Sequence, residues 1–403
     1  MAIRLSEKYL QQIEACVDTI QVDNWIEVFE TEAFRELRES VKKIHGTYLT
    51  DGDAGHLILS RLVEVFVGEP GPRGGAIVWE ENSDLREKLI DSLRDDIQSL
   101  PWTVQVNFPL PRFNRFGDFE IKICDSLSLQ TRLAPVSPML EGLNPLIGLV
   151  RNQGHAWLCV TVNGYIDSLH ESAAVSSAIT QAKRCLYFFG GFAAASPWDV
   201  LQAEAFANGP RGSQAIRLPH SLERYFGGLA PVESRLAIYD HSEGKGLLGG
   251  AFRPANTDDE RCMALRDNLG VAQSFFERRE HEDFDAIAAA IEWYIDSITA
   301  DNQTFAYIAA CIGLEALLGY GDSTERMDAM SSRLSDRYGF LLGTGRKQRD
   351  RLAEEFKQML SLRGKLVHAR SKRLTAGEQQ QLHQVQNMLS KVIGKEISVF
   401  IRQ

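Results

Sequence analysis

The chain has 403 residues, 44% of them apolar and 24% charged, with a formal net charge of −10. That length exceeds one ordinary hydrophobic core and suits two or three domains. The acidic balance opposes indiscriminate coating of nucleic acid, because the overall field repels a polyanion, and no run of about 18 apolar residues calls for a membrane span.

Residues 5 to about 66 read as helical. Tyr9, Ile13, Val17 and Ile20 recur at spacings of three and four, Trp25, Val28 and Phe29 continue the stripe, and Leu57, Leu59, Leu62, Val63 and Phe66 start another. The loop at 69–75 is rich in glycine and proline but lacks the Gly-Lys-Ser/Thr that would hold phosphates and magnesium. A charged helix over 83–100 completes a mostly helical region, 1–100.

From Pro101 the texture changes. Stretches 102–108, 118–124 and 156–162 alternate or run β-branched and aromatic, which predicts strands. A helix is expected over 172–189, a short strand over 236–240, and long irregular loops over 196–217. Residues 101–255 are therefore expected to form an α+β region with a regulatory or sensory role. Asp118, Glu120 and Lys122 alternate and would share one strand face, as the carboxylates and lysine of some metal-dependent nucleases do. A solvated outer face explains the same letters. Gly244-Lys245 is followed by Gly246, which suits a loop, and His281-Glu282 lacks the second histidine of a zinc-hydrolase helix. No Gly-x-Ser-x-Gly elbow occurs.

From about residue 256 the pattern is helical to the end, with segments expected at 258–279, 284–300, 303–319, 326–341, 347–370 and 376–401. Asp283 is placed to cap the second, and Thr375 with Glu378 makes a capping-box pattern before the last. Gly319 and Gly321, then Gly343 and Gly345, stand where helices should stop. Short connections between amphipathic helices imply antiparallel neighbours, hence an all-α bundle over 256–403.

The fifth of these helices carries Arg363 and, five positions on, His368. A guanidinium is a permanent planar cation suited to phosphate, and an imidazole exchanges a proton near neutral pH. Together they support attack of a ribose 2′-hydroxyl on its own phosphodiester with no metal or cofactor. Residues five apart on a straight helix diverge by about 140°. The two groups converge only if the helix distorts near Gly364 or if two copies pack so that paired motifs line one cleft. Between residues 346 and 373 there are ten Lys/Arg against three acids, a local excess of +7. Lys365, Arg370, Lys372 and Arg373 are candidates for flanking phosphates, although a solvated bundle face accounts for some of them.

Residues 305–319, with Leu314, Glu315, Ala316 and Leu317, then 333–343, then Phe356 with 360–368, together resemble a HEPN domain, and within that superfamily its ApeA-like branch. The resemblance covers only about 256–403. It implies a metal-independent endoribonuclease whose Arg-x4-6-His motif assembles across a homodimer, with Arg363 and His368 as catalytic residues and Glu315 bracing the arginine. It also implies a role in anti-phage defence or abortive infection, often on tRNA, with a phage-derived or other regulatory trigger read by the N-terminal region. Many members carry a small polar residue after the arginine; here Gly364 stands there, which removes an accessory hydrogen bond and weakens the helix by about 1 kcal/mol relative to alanine.

Two other readings stand beside this one. A non-catalytic HEPN scaffold would bind RNA, nucleotide or a partner protein, and a metal nuclease would use Asp118, Glu120 and Lys122. Six cysteines, at 16, 124, 159, 185, 262 and 311, form no C-x-x-C pair and suit free thiols in a cytoplasmic protein. The first 14 residues lack the apolar centre of a signal peptide.

Overall fold

The computed structural model describes residues 5–20, 28–68, 79, 82–110, 120–130, 156–166, 171–189, 204–209, 212–217, 258–319, 327–368 and 373–402. Among the described residues four helices come first: α1 (Glu7–Asp18), α2 (Glu32–His45), α3 (Asp51–Gly68) and α4 (Ser83–Ser99). Thr31 caps α2, its Oγ1 accepting from Phe34 N at 3.2 Å, and Phe34, Leu37 and Val41 form the helix's buried stripe. His45, buried at the end of α2, places Nε2 2.8 Å from the Ile97 carbonyl oxygen of α4. The buried Arg61–Asp96 ion pair ties α3 to α4.

A six-stranded antiparallel sheet follows, in the order β2-β3-β4-β1-β5-β6, formed by β1 (Trp102–Leu110), β2 (Glu120–Cys124), β3 (Leu127–Gln130), β4 (Ala156–Gly164), β5 (Glu204–Gly209) and β6 (Gly212–Arg217). On β1 the alternate residues Trp102, Val104, Val106, Phe108 and Leu110 are all buried. Helix α5 (Ala173–Phe189) lies against β1 and β4, its small residues Ala174, Ala178 and Ala182 letting it approach closely.

The β5–β6 hairpin corrects the expectation of irregular loop over 196–217. Its strands are weak in β-branched residues and end at Gly209 and Gly212, which pair across the turn. β1 supplies the partner that local sequence does not advertise, from Asn107↔Glu204 to Thr103↔Asn208. The strand expected at 236–240 lies outside the described residues.

The C-terminal part is all helical: α6 (Asp258–Phe276), α7 (Phe284–Thr299), α8 (Gln303–Gly319), α9 (Met327–Leu342), α10 (Arg346–His368) and α11 (Gln379–Phe400). The molecule is thus an α+β region followed by an all-α bundle, and all six expected helical segments are present within a few residues. α8 packs on α7, α10 and α11, and α9 pairs with α10. Gly313 permits a close approach of α8 to α7 and α11, since a Cβ there would stand 2.8 Å from Leu389 Cδ2 and 3.1 Å from Trp293 Cβ.

Two caps differ in detail from expectation. Asp283 makes no side-chain cap on α7; its backbone N–H is instead 3.2 Å from His281 Nδ1. At Thr375 half of the capping box forms, with Glu378 Oε2 accepting from Thr375 N at 3.0 Å and from Thr375 Oγ1 at 2.8 Å.

α5 is shared between the two halves. On the side facing the bundle, Lys183 pairs with Asp296 at 2.7 Å and Arg184 with Glu292 at 2.6 Å. Tyr187 meets Tyr294 edge-on at 5.9 Å, and Phe188 packs on Phe275 and Phe276. One continuous buried cluster therefore runs from the sheet into the helices.

Candidate active site on helix α10

Helix α10 owes its position to Ala353, Phe356, Met359, Leu362 and Leu366, which recur every three or four residues and are buried. Arg363 projects beside this stripe, toward α8, and its side chain is only 26% exposed. There it meets Glu315: Arg363 Nη2 donates to Glu315 Oε2 at 3.3 Å, while Nε lies 3.2 Å from Oε1 but out of line for a hydrogen bond. Burial raises the Glu315 carboxyl above the usual carboxylate range, and the Arg363 charge pulls it partly back. A guanidinium has five N–H donors. Glu315 therefore fixes the plane of the Arg363 head and leaves the Nη1 donors unspent among the described residues.

The turn carrying Arg363 is secured from below. Tyr307 Oη donates to the Met359 carbonyl oxygen at 3.1 Å, the oxygen that also receives the helical Arg363 N–H. Cys311 Sγ lies 3.2 Å from Met359 Sδ. Tyr307, Cys311 and Glu315 are spaced by four and form one line on α8. Only the last of them stands out in the sequence, through the family resemblance. The spacing signals a shared face, but its two inner members look like ordinary core.

His368 is the last residue of α10 and is exposed. The helix runs regularly through Gly364 to His368, so the distortion that would let the two groups converge within one chain is absent. On this regular helix Arg363 and His368 stand about 140° apart around the axis and about 7.5 Å apart along it. The sector between them is filled by Leu360, Gly364 and Val367. Val367 is 45% exposed, Leu360 is half-buried, and a Cβ on Gly364 would meet nothing within 4 Å. A small, apolar saddle thus separates the cation from the imidazole.

Lys365 and Arg373 are both exposed, as phosphate contacts require, whereas Arg370 and Lys372 lie outside the described residues. Of the metal-nuclease triad, Asp118 also lies outside them. Glu120 accepts from Gln130 Nε2 at 3.3 Å, and Lys122 pairs with Asp125 at 2.7 Å on an exposed stretch of the edge strand β2. Among the described residues no group of three or more His, Cys, Asp and Glu is placed to hold a metal ion, and no helix is long and apolar enough to cross a membrane.

Comparison with known protein families found no matching family model, and comparisons with curated proteins and with solved structures found no match either. Fold and site together define a class: an α+β region joined to an all-α bundle, with a carboxylate-braced arginine and an exposed histidine on one bundle helix.

Proposed function

We propose that the bundle is a HEPN-type, metal-independent endoribonuclease that works as a homodimer through α10. The observation carrying this reading is the braced Arg363 beside the Leu360–Gly364–Val367 saddle, with His368 on its far edge. A second α10 laid antiparallel on that saddle about a twofold axis near Gly364 brings each arginine toward the partner copy's histidine. The bare backbone of Gly364 permits close approach.

In such a cleft the imidazole of His368 takes the proton of the ribose 2′-hydroxyl, and its symmetry mate returns one to the departing 5′-oxygen. Arg363 donates to the non-bridging oxygens of the phosphate as they gain charge in the pentavalent transition state. Glu315 acts through Arg363 and is a positioning residue. The products are a 2′,3′-cyclic phosphate and a 5′-hydroxyl, and DNA resists because it lacks the nucleophile. Lys365 and Arg373 hold neighbouring phosphates, as do Arg370 and Lys372. The α+β region, packed on the bundle through α5, is the regulatory part of an anti-phage or toxin effector acting in the cytoplasm, and tRNA is a substrate of the right kind.

The partial burial of the Arg363–Glu315 pair also favours a second reading, a non-catalytic scaffold in which the pair anchors α10 to α8 and the bundle binds RNA or protein. One experiment separates them. Full-length protein is incubated with total RNA in EDTA and the cut ends are mapped. Cyclic-phosphate ends that vanish with His368→Ala support the nuclease. RNA retention with no cutting supports the scaffold, and cutting that requires added metal and survives His368→Ala overturns both.

A further inference from the structure

The end of the bundle away from His368 carries a cavity that the cleavage chemistry does not use. It measures about 350 Å³ and is lined by Asp336, Phe340, Arg346, Arg349, Asp350 and Ala353, where α9 turns into α10. Phe340 is 64% exposed, the most open large apolar side chain among the described residues. That exposure leaves a flat aromatic surface open to a ligand.

The ring is held in a fixed setting. The Arg349 guanidinium lies 4.6 Å from its centroid, and Arg349 Nε donates to the Gly343 carbonyl oxygen at 3.0 Å. Two glycines make this arrangement fit. A Cβ on Gly339 would stand 2.7 Å from the Arg349 carbonyl oxygen, and one on Gly343 would stand 2.7 Å from Arg349 Cγ. Arginine and ring thus form a preformed stacking platform. Around it are two carboxylates and a second arginine: Arg346 is engaged only by Asp350, at 4.0 Å, and Asp336 has no ion pair among the described residues.

An aromatic–guanidinium platform stacks a planar base, and arginine also binds phosphate. Among the bases, guanine answers both charges in the cavity. Its N1–H and N2–H donors suit a carboxylate, and its O6 and N7 acceptors suit an arginine. Adenine presents no such pair of adjacent donors. We propose that this cavity binds a guanine nucleotide as a unit of single-stranded RNA. Phe340 and Arg349 stack the base, Asp336 reads its donor edge and Arg346 meets its O6 and N7 acceptors. The choice of an RNA strand rests on the ribonuclease reading of α10; the choice of guanine does not. Arg349 and Arg363 are about 21 Å apart along the helix, a span that a short strand bridges.

The test uses full-length His368→Ala protein in EDTA with two fluorescein-labelled RNAs, an oligouridine with one central guanosine and its central-adenosine counterpart. Fluorescence polarisation is expected to show the guanosine strand bound at least fivefold more tightly. Phe340→Ala weakens both strands about tenfold by removing the stack, and Asp336→Asn erases the preference for guanosine while circular dichroism stays unchanged. GMP serves as competitor: displacement at equal affinity identifies the free nucleotide as ligand, and much weaker displacement identifies the strand. Equal affinity for the two RNAs, untouched by either variant, overturns the proposal. If wild-type protein fails to cut RNA in EDTA while the guanosine preference stands, the ribonuclease reading falls and this site remains.

Discussion

Arg363 and Glu315 face each other across the α8–α10 interface, with Arg363 Nη2 donating to Glu315 Oε2 at 3.3 Å. The pair sets two opposed demands on one carboxyl, because burial disfavours its charge while the arginine favours it, and burial is the larger effect.

The sign of that balance makes a prediction. A carboxyl whose folded pKa is raised contributes stability below its unfolded pKa and loses it as pH rises through the folded value. The stability of wild type relative to Glu315→Gln is therefore expected to fall as pH climbs through and just above the ordinary carboxylate range, then to level off. Denaturant titrations from pH 3.5 to 8 measure this, and a relative stability that climbs with pH would mean the ion pair outweighs burial. Since Gln keeps the shape but not the charge, cleavage by the variant should drop about tenfold in kcat, a loss near 1.4 kcal/mol of transition-state stabilisation. A change confined to KM would place Glu315 in substrate binding instead.

His368 is exposed at the end of α10, so its replacement costs the fold little. His368→Ala should leave stability within about 0.5 kcal/mol of wild type while lowering EDTA-resistant cleavage by about 10²- to 10⁴-fold, the usual contribution of a general acid–base group. Arg363→Ala differs in kind, because it strands the half-buried Glu315 charge and should destabilise the bundle as well as inactivate it. Thermal melts beside cleavage assays distinguish the two patterns. Equal destabilisation by both variants would contradict the exposure of His368.

Two glycines near α10 should respond in opposite directions to the same change. At Gly364 an added Cβ meets open space, so Gly364→Ala should stabilise the isolated chain by about 1 kcal/mol through helix propensity. At Gly339 the added Cβ would stand 2.7 Å from the Arg349 carbonyl oxygen, and the backbone must shift, which should cost about 1–3 kcal/mol. Chemical denaturation reads both. If α10 pairs with its copy across Gly364, Gly364→Glu sets like charges against each other and sedimentation velocity should show monomer alone. A Gly364→Glu protein that sediments as a dimer would move the interface elsewhere.

The bundle was legible in the sequence because its helices obey one local rule. Ala353, Phe356, Met359, Leu362 and Leu366 repeat at helical spacing, and breakers such as Gly319 and Gly343 mark the ends. The sheet was half legible: β1 alternates strongly and β4 is a β-branched and aromatic run, but β5 is a strand by virtue of β1 beside it and β6 by virtue of β5, and no single-segment pattern encodes a neighbour. In the site, Arg363 was readable from its own chemistry and Glu315 beside it only through the family resemblance, whereas Tyr307 and Cys311 were hidden by their likeness to core. Phe340 escaped notice because an aromatic on an amphipathic helix reads as buried, and only the structure places it outside. The absent distortion at Gly364 was likewise invisible, since glycine permits a kink without requiring one.

The coupling of the two halves through α5 can be tested at Phe188. This ring is fully buried and sits 5.6 Å from Phe275 and 6.2 Å from Phe276, with Tyr187 edge-on at 5.4 Å. Truncation leaves a cavity at the joint between sheet and bundle, so Phe188→Ala should cost about 3–5 kcal/mol. Because α5 belongs to the core of both halves, wild type should melt in one transition whether followed by tryptophan fluorescence, five of the six tryptophans preceding residue 256, or by helical circular dichroism. Phe188→Ala should lower both curves together, without changing the residues of the α10 cleft. Two separated transitions in wild type would show that the halves fold independently, and a regulatory signal from the α+β region would then need a route other than α5.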